Sequence, residues 1–246
     1  LYGRLHSNKS LKGPWIKPAN DIFDGIAFYA GKTMSNGKER YLAGWCPTRI
    51  GDGDSDQWGG SLVCHHMLFN ADGTIDLKLP DGIDKKFTTL KKTVLIDKSG
   101  KAVKKENSYV LSDVASVSFP RLDKTCKIEA TVKATGDEDV FGFAFGACDD
   151  KTEVYSIRFD LKSKKMIMSK DDLTRGTTPT QTDVTLVVPA DKQFRVKIVA
   201  EKSVCVMYVN DKIAFSNRID KMPKNPWAIF TDKGTEVSFS DIKVYE

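Results

Sequence analysis

The sequence predicts an all-β protein, on three observations. Short runs rich in valine, isoleucine, phenylalanine and tyrosine recur along the chain, separated by glycine, aspartate, asparagine and lysine turns. Most runs alternate apolar with polar residues, so each strand is expected to bury one face; the clearest are residues 127–132, 154–159 and 194–199. No long stretch has apolar residues at the 3.6-residue spacing of an amphipathic helix.

Composition limits the classes of protein that the chain can represent. Of its 246 residues, 40% are hydrophobic and 29% are charged, which is typical of a globular protein with one large or two small domains. No apolar run approaches the roughly 18 residues of a membrane span, so no span is predicted. The five cysteines form no CxxC pair, which argues against a zinc knuckle or a redox motif.

The net charge of +5 does not indicate a nucleic-acid partner. Lysines are interleaved with acidic residues along most of the chain, and the basic cluster at 101–105 has no aromatic neighbours on which bases could stack. A solvated surface is the simpler interpretation, and no nucleic-acid partner is predicted.

Three segments of different composition follow one another along the chain. Residues 1–85 are dense in glycine and tryptophan and offer about four strands, too few for a comfortable independent core. They are therefore predicted to form one incomplete blade of a larger radial structure. Residues 86–107 are predicted to be a connector rich in lysine and aspartate, with turn motifs at 80–82, just before it, and at 98–100. Residues 108–246, with many short strands, suit a β-sandwich.

Several elements of the third segment can be assigned individually. Residues 204–209 are apolar throughout, which favours a strand buried on both faces, and residues 210–212 are predicted to form the hairpin turn after it. Trp227 begins a strand, either as a buried anchor or as a platform for a sugar ring, and the anchor is the simpler interpretation. The other aromatic residues predicted to lie in the core are Phe141, Phe143, Phe145 and Tyr155.

Five short motifs occur in order within the first segment. They are Gly-Pro-Trp at 13–15, Phe-Asp-Gly at 23–25, Phe-Tyr-Ala-Gly-Lys-Thr at 28–33, Arg-Tyr-Leu-Ala-Gly-Trp at 40–45 and Trp-Gly-Gly-Ser-Leu at 58–62. This ordered series resembles the last propeller blade of glycoside hydrolase family 32, which includes invertases, levanases and inulinases. Residues 198–210 and 216–219 are similar to strands of that family's C-terminal sandwich.

The resemblance implies a partial β-propeller blade followed by a concanavalin-like β-sandwich. It also implies a retaining mechanism in which two carboxylates act on a β-fructosidic bond. The family's signatures Asn-Asp-Pro-Asn-Gly, Arg-Asp-Pro and Glu-Cys do not occur in this sequence, and in the family all three precede the matched blade. The chain opens at Leu1 without an initiator methionine, so the missing N-terminal blades are expected upstream. The parent is expected to be a glycoside hydrolase, whereas this segment is expected to hold no catalytic residue and to be inactive alone.

Three residues of the first segment are candidates for contact with a sugar. The resemblance places Tyr29 and Trp45 at positions that line the fructosyl pocket, where aromatic rings offer flat apolar faces to sugar C–H groups. The alternative is that both are core residues of the blade. Asp24, in Phe-Asp-Gly, is either a polar residue of the site or a turn residue. Trp58 is predicted to serve packing, because the glycines after it suggest close backbone contact.

No cofactor or metal is predicted. Asp52, Asp54 and Asp56 alternate like the start of a calcium loop, but the later glycine and glutamate of an EF-hand are absent, which leaves only a looser calcium loop open. His65 and His66 stand where the family has part of a Pro-Arg-Glu motif. Because neighbouring residues of a strand point to opposite faces, these two histidines are not expected to share a metal.

Three functions are consistent with these patterns. The leading hypothesis is the C-terminal portion of an enzyme that splits fructan or sucrose. The alternatives are a non-catalytic carbohydrate-binding module and a sandwich that braces the propeller or mediates dimerisation. The resemblance implies an extracellular or periplasmic location, since large fructans are met outside the cytoplasm. Residues 1–80 are expected to dock on the sandwich, to pair with another copy, or to be more mobile than residues 108–246.

Overall fold

The computed structural model describes residues 4–5, 12, 14–48, 59–122, 125–146, 153–172, 180–219 and 226–246. Within these ranges lie nineteen strands and one short helix, so the predicted all-β class is confirmed. The elements are β1 Arg4–Leu5, β2 Trp15–Ile16, β3 Tyr29–Ser35, β4 Arg40–Pro47, β5 Gly60–Phe69, β6 Ile75–Lys78, α1 Asp81–Asp84, β7 Leu90–Lys91, β8 Asp97–Lys105, β9 Ser108–Phe119, β10 Thr125–Ala134, β11 Val140–Gly146, β12 Glu153–Asp160, β13 Lys165–Asp172, β14 Thr180–Thr185, β15 Gln193–Glu201, β16 Val204–Val209, β17 Ile213–Arg218, β18 Trp227–Thr231 and β19 Glu236–Tyr245. None of the helical residues described forms a segment long and apolar enough to cross a membrane.

The first segment forms a four-stranded antiparallel sheet with its strands in chain order, β3-β4-β5-β6. The turn between β3 and β4 is closed by Asn36, whose side-chain oxygen accepts hydrogen bonds from the backbone N–H groups of Lys38 and Glu39 at 3.0 and 2.8 Å. Strand β3 lies at the edge of the sheet, and all seven of its residues are exposed. This meander is the arrangement of a single propeller blade, as predicted.

Strands β7 to β19 form one sheet of thirteen strands. Its main path runs β14-β13-β12-β11-β18-β9-β19-β10-β15-β16-β17, with β8 paired to β9 and β7 paired to β19. The path folds over on itself, because the ring centre of Phe141 on β11 lies 5.8 Å from that of Phe194 on β15, although four strands separate β11 from β15. At the two ends of the path, Thr182 on β14 donates a hydrogen bond to Asn217 on β17. The result is a nearly closed sandwich.

Aromatic side chains fill the space between the two layers of the sandwich. The four aromatic residues predicted to lie in the core are at most 2% exposed, which confirms the prediction; they are Phe141, Phe143, Phe145 and Tyr155. Trp227 is also buried and stacks on Phe119, with ring centres 4.5 Å apart. It is therefore the buried anchor of β18 and not a platform for a sugar.

The hairpin of β16 and β17 is buried on both faces, as predicted for residues 204–209. Met207 belongs to the core of the sandwich, whereas Tyr208 packs into a second core shared with the blade. The predicted turn follows β16, where Asn210 and Asp211 have φ angles of 55° and 52°. Two successive positive φ angles are typical of a type I′ turn, which asparagine and aspartate tolerate better than most residues.

The blade docks on the outer face of this hairpin. Apolar side chains from both parts form one continuous buried cluster, so the described part of residues 1–80 is docked on the sandwich, the first of the three alternatives considered above. The cluster includes Leu42, Cys46, Val63, Met67, Leu77 and Leu79 from the blade and its exit, and Val204, Val206, Tyr208 and Ala214 from the hairpin.

The segment predicted to be a connector contributes β7 and β8 to the large sheet. The turn predicted at 98–100 is wrong, because Gly100 lies inside β8 beside a bulge in the pairing with β9, and has a φ of 67°. A Cβ at Gly100 would lie 2.1 Å from the carbonyl oxygen of Val114, so this bulge requires glycine. The motif at 80–82 leads into helix α1. The domain division at residues 85 and 107 stays a prediction.

Helix α1 is tied to the sandwich by a network of ion pairs. Asp84 accepts hydrogen bonds from Lys127 and, at 2.7 Å, from Lys197. The side chain of Lys127 is only 6% exposed; its ammonium group also lies 2.8 Å from Glu129 and 4.6 Å from the ring centre of Tyr245. Burial alone would raise the pKa of Asp84, but the hydrogen bonds from the two lysines outweigh it and lower that pKa.

We expect Asp84→Asn to lower the free energy of unfolding by about 2 kcal/mol at pH 7, because it removes charged hydrogen bonds. Since the folded-state pKa of Asp84 is lowered, its contribution is complete above the unfolded-state pKa of about 3.9 and is lost as the pH falls through the folded-state value. Urea unfolding at several pH values should show that the difference in free energy of unfolding between wild type and Asp84→Asn becomes smaller below about pH 4. Asp137→Asn, whose side chain is 88% exposed, is the control. If this difference in free energy of unfolding does not change with pH, the ionised carboxylate of Asp84 is not its cause.

Candidate functional site

Tyr29 and Trp45 lie side by side at the edge of the blade. They are directly paired across β3 and β4, so their side chains project from the same face of the sheet. Their ring centres are 5.4 Å apart and their planes meet at 69°, an edge-to-face contact. Tyr29 is 49% exposed and is therefore not a core residue, and Trp45 is half-buried. Leu62, paired with Trp45 from β5 and 79% exposed, extends the same apolar row.

A ring on the opposite face of the sheet supports the backbone behind this pair. A Cβ at Gly44 would come within 2.6 Å of the Phe28 ring, and a Cβ at Gly31 within 2.9 Å of it. These two glycines therefore allow Phe28 to lie against the backbones of β3 and β4. The Gly-Trp motif thus has two parts, a glycine that admits Phe28 on one face and Trp45 presented on the other.

Asp24 lies in the interface between the blade and the sandwich. Its side chain is 1% exposed. One carboxylate oxygen accepts hydrogen bonds from the backbone N–H groups of Gly25 and Ser216, each at 2.6 Å. The other oxygen accepts a hydrogen bond from the hydroxyl of Ser216 and one from Nε2 of His65 at 2.9 Å. The second ring nitrogen of His65 lies 3.0 Å from the hydroxyl oxygen of Tyr208.

The predicted contact between Asp24 and a sugar does not fit this geometry. Both of its carboxylate oxygens are occupied by protein donors, and the group is closed off from solvent. The turn interpretation accounts only for the bond from Gly25, since the other bonds cross to β5 and β17. Burial raises the pKa of Tyr208 and the negative charge of Asp24 raises it further, so the Tyr208 hydroxyl stays protonated.

A second set of hydrogen bonds crosses the same interface at Arg218. Its guanidinium donates to the backbone carbonyls of Pro47 and Cys46, the latter at 2.5 Å, and to the hydroxyl of Ser203 at 2.5 Å. The rigid fork of a guanidinium suits several fixed acceptors at once. Because Cys46 follows Trp45 in β4, Arg218 holds the strand that carries the aromatic pair.

Of the remaining residues considered in the sequence, the structure describes the two histidines but not Trp58 or the aspartate loop. His65 and His66 face opposite sides of β5, as predicted: His65 faces the sandwich, and the ring centre of His66 lies 5.2 Å from that of Tyr41 on the other face. Trp58 and the aspartate loop at 52–56 lie outside the described residues.

Sequence reasoning did not identify the residues that join the blade to the sandwich. Asp24 and Ser216 are 192 residues apart, and no local pattern relates them. The sequence feature that could have indicated this network is His65, because a histidine within an apolar strand needs a buried hydrogen-bond partner.

A family profile described as "GH32, BT1760-like, C-terminal domain" matches residues 73–244, more than half of the chain. The chain belongs to glycoside hydrolase family 32. The matched range contains Tyr208, Ser216 and Arg218, which form the sandwich side of the interface. The family 32 assignment therefore rests on the last strand of the blade and on the sandwich, while Tyr29 and Trp45 precede the matched range.

Solved structures have the same fold as this family 32 chain. A fructosyltransferase from A. japonicus has a TM-score of 0.68 at 14% identity, covering 98% of this chain and 48% of that protein. An exo-inulinase from Aspergillus awamori has a TM-score of 0.61 at 14% identity, covering 89% of this chain and 43% of that protein. The chain thus spans less than half the length of either protein.

A smaller protein is also similar. The carbohydrate-binding module CBM66 from Bacillus subtilis has a TM-score of 0.51 at 10% identity, covering 65% of this family 32 chain and 99% of that module. Nearly the whole fold of that module is therefore comparable with part of this chain. A comparison with curated protein sequences finds no match.

We expect Asp24→Ala to destabilise the interface by about 3 kcal/mol, because it leaves the Ser216 and His65 donors buried without an acceptor. Urea unfolding measures the loss, and limited proteolysis should cleave within the first 80 residues before the sandwich. Asp137→Ala, at an exposed carboxylate, should stay within about 0.5 kcal/mol of wild type. Equal losses in the two variants would show that Asp24 does not join the two parts.

Proposed function

We propose that this family 32 chain is the C-terminal portion of a retaining β-fructosidase-type enzyme that acts on fructan or sucrose. Family membership across residues 73–244 supports the proposal. The likeness of fold to a fructosyltransferase and an exo-inulinase, over 98% and 89% of this chain, also supports it. In this proposal the earlier blades of the propeller precede β3 and carry the reactive carboxylates.

In this proposal the preceding blades carry out the reaction, and this chain binds and supports. A retaining glycosidase needs a nucleophilic carboxylate and a carboxylic acid about 5 Å apart, with the pKa of the acid raised by its surroundings. None of the family signatures that carry these groups occurs in the sequence. The proposed contribution of this chain is therefore to bind and support, and the chain alone is expected not to hydrolyse sucrose or levan.

The observation that carries the proposal is the pair of rings formed by Tyr29, which is 49% exposed, and Trp45, which is half-buried. The two rings share one face and contact each other edge to face, with Tyr29 on the edge strand β3 and Trp45 on its neighbour β4. Such rings present apolar faces to sugar C–H groups and a polar atom to a hydroxyl. We place them at the wall of the fructosyl pocket, near the axis of the complete propeller.

A second candidate function is favoured by the likeness to CBM66. Because 99% of that carbohydrate-binding module is comparable with part of this chain, the sandwich could hold a polysaccharide without cleaving it. If the sugar is a large fructan, either function requires an extracellular or periplasmic location, which is the location we propose. A sandwich that only braces the propeller or pairs two copies is the remaining alternative, and it predicts no sugar binding.

We expect Trp45→Ala or Tyr29→Ala, in the protein encoded by the complete gene, to reduce kcat/KM for sucrose or levan at least tenfold, roughly the loss of one ring-to-sugar contact. Phe69→Ala is the control, because Phe69 is an exposed aromatic residue of the same sheet outside the row. The gene should also encode an Asn-Asp-Pro motif upstream. A stop codon or an unrelated domain there, or unchanged kinetics in both variants, would contradict the proposal.

Calorimetric titration of the chain with levan and inulin oligosaccharides separates the candidates. Binding that persists in Trp45→Ala would assign sugar binding to the sandwich, as in a carbohydrate-binding module. Binding that is lost in Trp45→Ala and kept in Phe69→Ala would assign it to the aromatic pair. No heat at millimolar sugar would favour the bracing role for the sandwich.

A further inference from the structure

Three potential metal ligands converge where the blade leads into the sandwich. Glu39 lies in the turn between β3 and β4, His66 lies on β5, and Asp81 is the first residue of α1. One ligand atom from each residue lies within 4.8 Å of the others. Oε1 of Glu39 and Nε2 of His66 are 4.0 Å apart.

The imidazole of His66 is buried without a hydrogen bond from the described part of the chain. Its side chain is 8% exposed. Its Nδ1 is fully buried and has no partner, and its Nε2 faces Glu39 at a distance too long for a hydrogen bond. Buried polar side chains in folded proteins nearly always have partners. Nε2, which faces Glu39 and has no hydrogen-bond partner among the described residues, can bind a ligand held between these residues, whereas Nδ1 stays without a partner.

The two carboxylates are each held through one oxygen and leave the other open. Oε2 of Glu39 accepts hydrogen bonds from the hydroxyl of Tyr41 at 2.5 Å and from the amide of Asn36 at 3.3 Å. These bonds lower the pKa of Glu39, and the same contact raises the pKa of Tyr41 to about 12, so Glu39 is ionised at neutral pH. Oδ1 of Asp81 accepts a hydrogen bond from Lys78 at 2.7 Å. Such outer contacts are the kind that orient metal ligands.

We propose that Glu39, His66 and Asp81 form a binding site for a divalent transition-metal ion, with zinc the best match. One imidazole nitrogen and two carboxylate oxygens are zinc ligands, and three protein ligands leave a fourth position for water. Calcium and magnesium prefer sites made of oxygen alone, which a histidine does not suit. The site is distinct from the aromatic pair and does not depend on the proposed sugar chemistry.

The measured spacing suits a site that tightens when the ion binds. Zinc bonds of roughly 2.0–2.2 Å place tetrahedral ligand atoms about 3.4 Å apart, somewhat closer than these residues stand. His66 is fixed within β5, whereas Glu39 and Asp81 stand in a turn and at a helix start, where small side-chain rotations can close the gap. The bound ion would tie the β3–β4 turn to the beginning of α1, the element that Lys127 and Lys197 attach to the sandwich.

Titration of the metal-free chain with zinc chloride tests the proposal. We expect one equivalent to bind, and His66→Gln, Glu39→Gln and Asp81→Asn each to weaken zinc binding at least tenfold. Asp76→Asn is the matched control, because Asp76 is a carboxylate of β6 outside the cluster, and it should bind zinc like wild type. Zinc should also raise the thermal unfolding midpoint of wild type and of Asp76→Asn, but not that of His66→Gln.

Two results would overturn the site. One is no zinc uptake by the folded wild-type chain. The other is uptake that persists unchanged in Glu39→Gln and His66→Gln, which would assign it to other groups. If His66→Gln fails to fold, Glu39→Gln still tests the site. Glu39 lies in a turn at the surface, and the glutamine amide oxygen can still accept the hydrogen bond from Tyr41.

Discussion

The buried carboxylate of Asp24 is the centre of the hydrogen bonds that join the four-stranded blade to the thirteen-stranded sandwich. Asp24 receives bonds from its own turn, from β5 of the blade and from β17 of the sandwich, so one side chain fixes three segments relative to one another. A carboxylate that is buried away from solvent is stable only when hydrogen-bond donors in fixed positions surround it. His65 and Ser216 supply those donors, and they do so only when the blade sits in this register on the sandwich. The polar network thus specifies an orientation that apolar packing alone would leave broad.

The hairpin of β16 and β17 explains why this sequence departs from simple alternation. Each of its strands faces the sandwich core on one side and the blade on the other, so neither side can be polar unless the polar group is paired. Tyr208 and Ser216 are paired, through His65 and Asp24. Arg218 is likewise paired, through carbonyls at the end of β4. The polar residues on the blade-facing side of this hairpin are therefore paired with groups of the blade, whereas Asn217 is paired with Thr182 of the sandwich.

Local features of the fold could be predicted from the sequence, and contacts across it could not. The alternating strands, the double burial of residues 204–209 and the anchor at Trp227 each follow from side-chain patterns within a few residues. The turn expected at 98–100 failed because Gly100 serves a bulge whose need for glycine is set by Val114 on the neighbouring strand. The role of Asp24 was missed for the same reason, since its decisive partner lies 192 residues away. Tyr29 and Trp45 were each named as candidates because the resemblance marked their two motifs, but their contact across β3 and β4 was not predicted.

The aromatic pair and the buried carboxylate are linked through a short series of contacts. Phe28 supports the backbone behind Trp45, and its ring centre lies 5.0 Å from that of His65, which donates to Asp24. Arg218 holds the residue next to Trp45 from the sandwich side. A blade that presents rings on its open face must have its other face held in place, because a shift of that face would move the rings. In this fold the sandwich supplies that support, which gives it a part in positioning the rings whether or not it binds sugar itself.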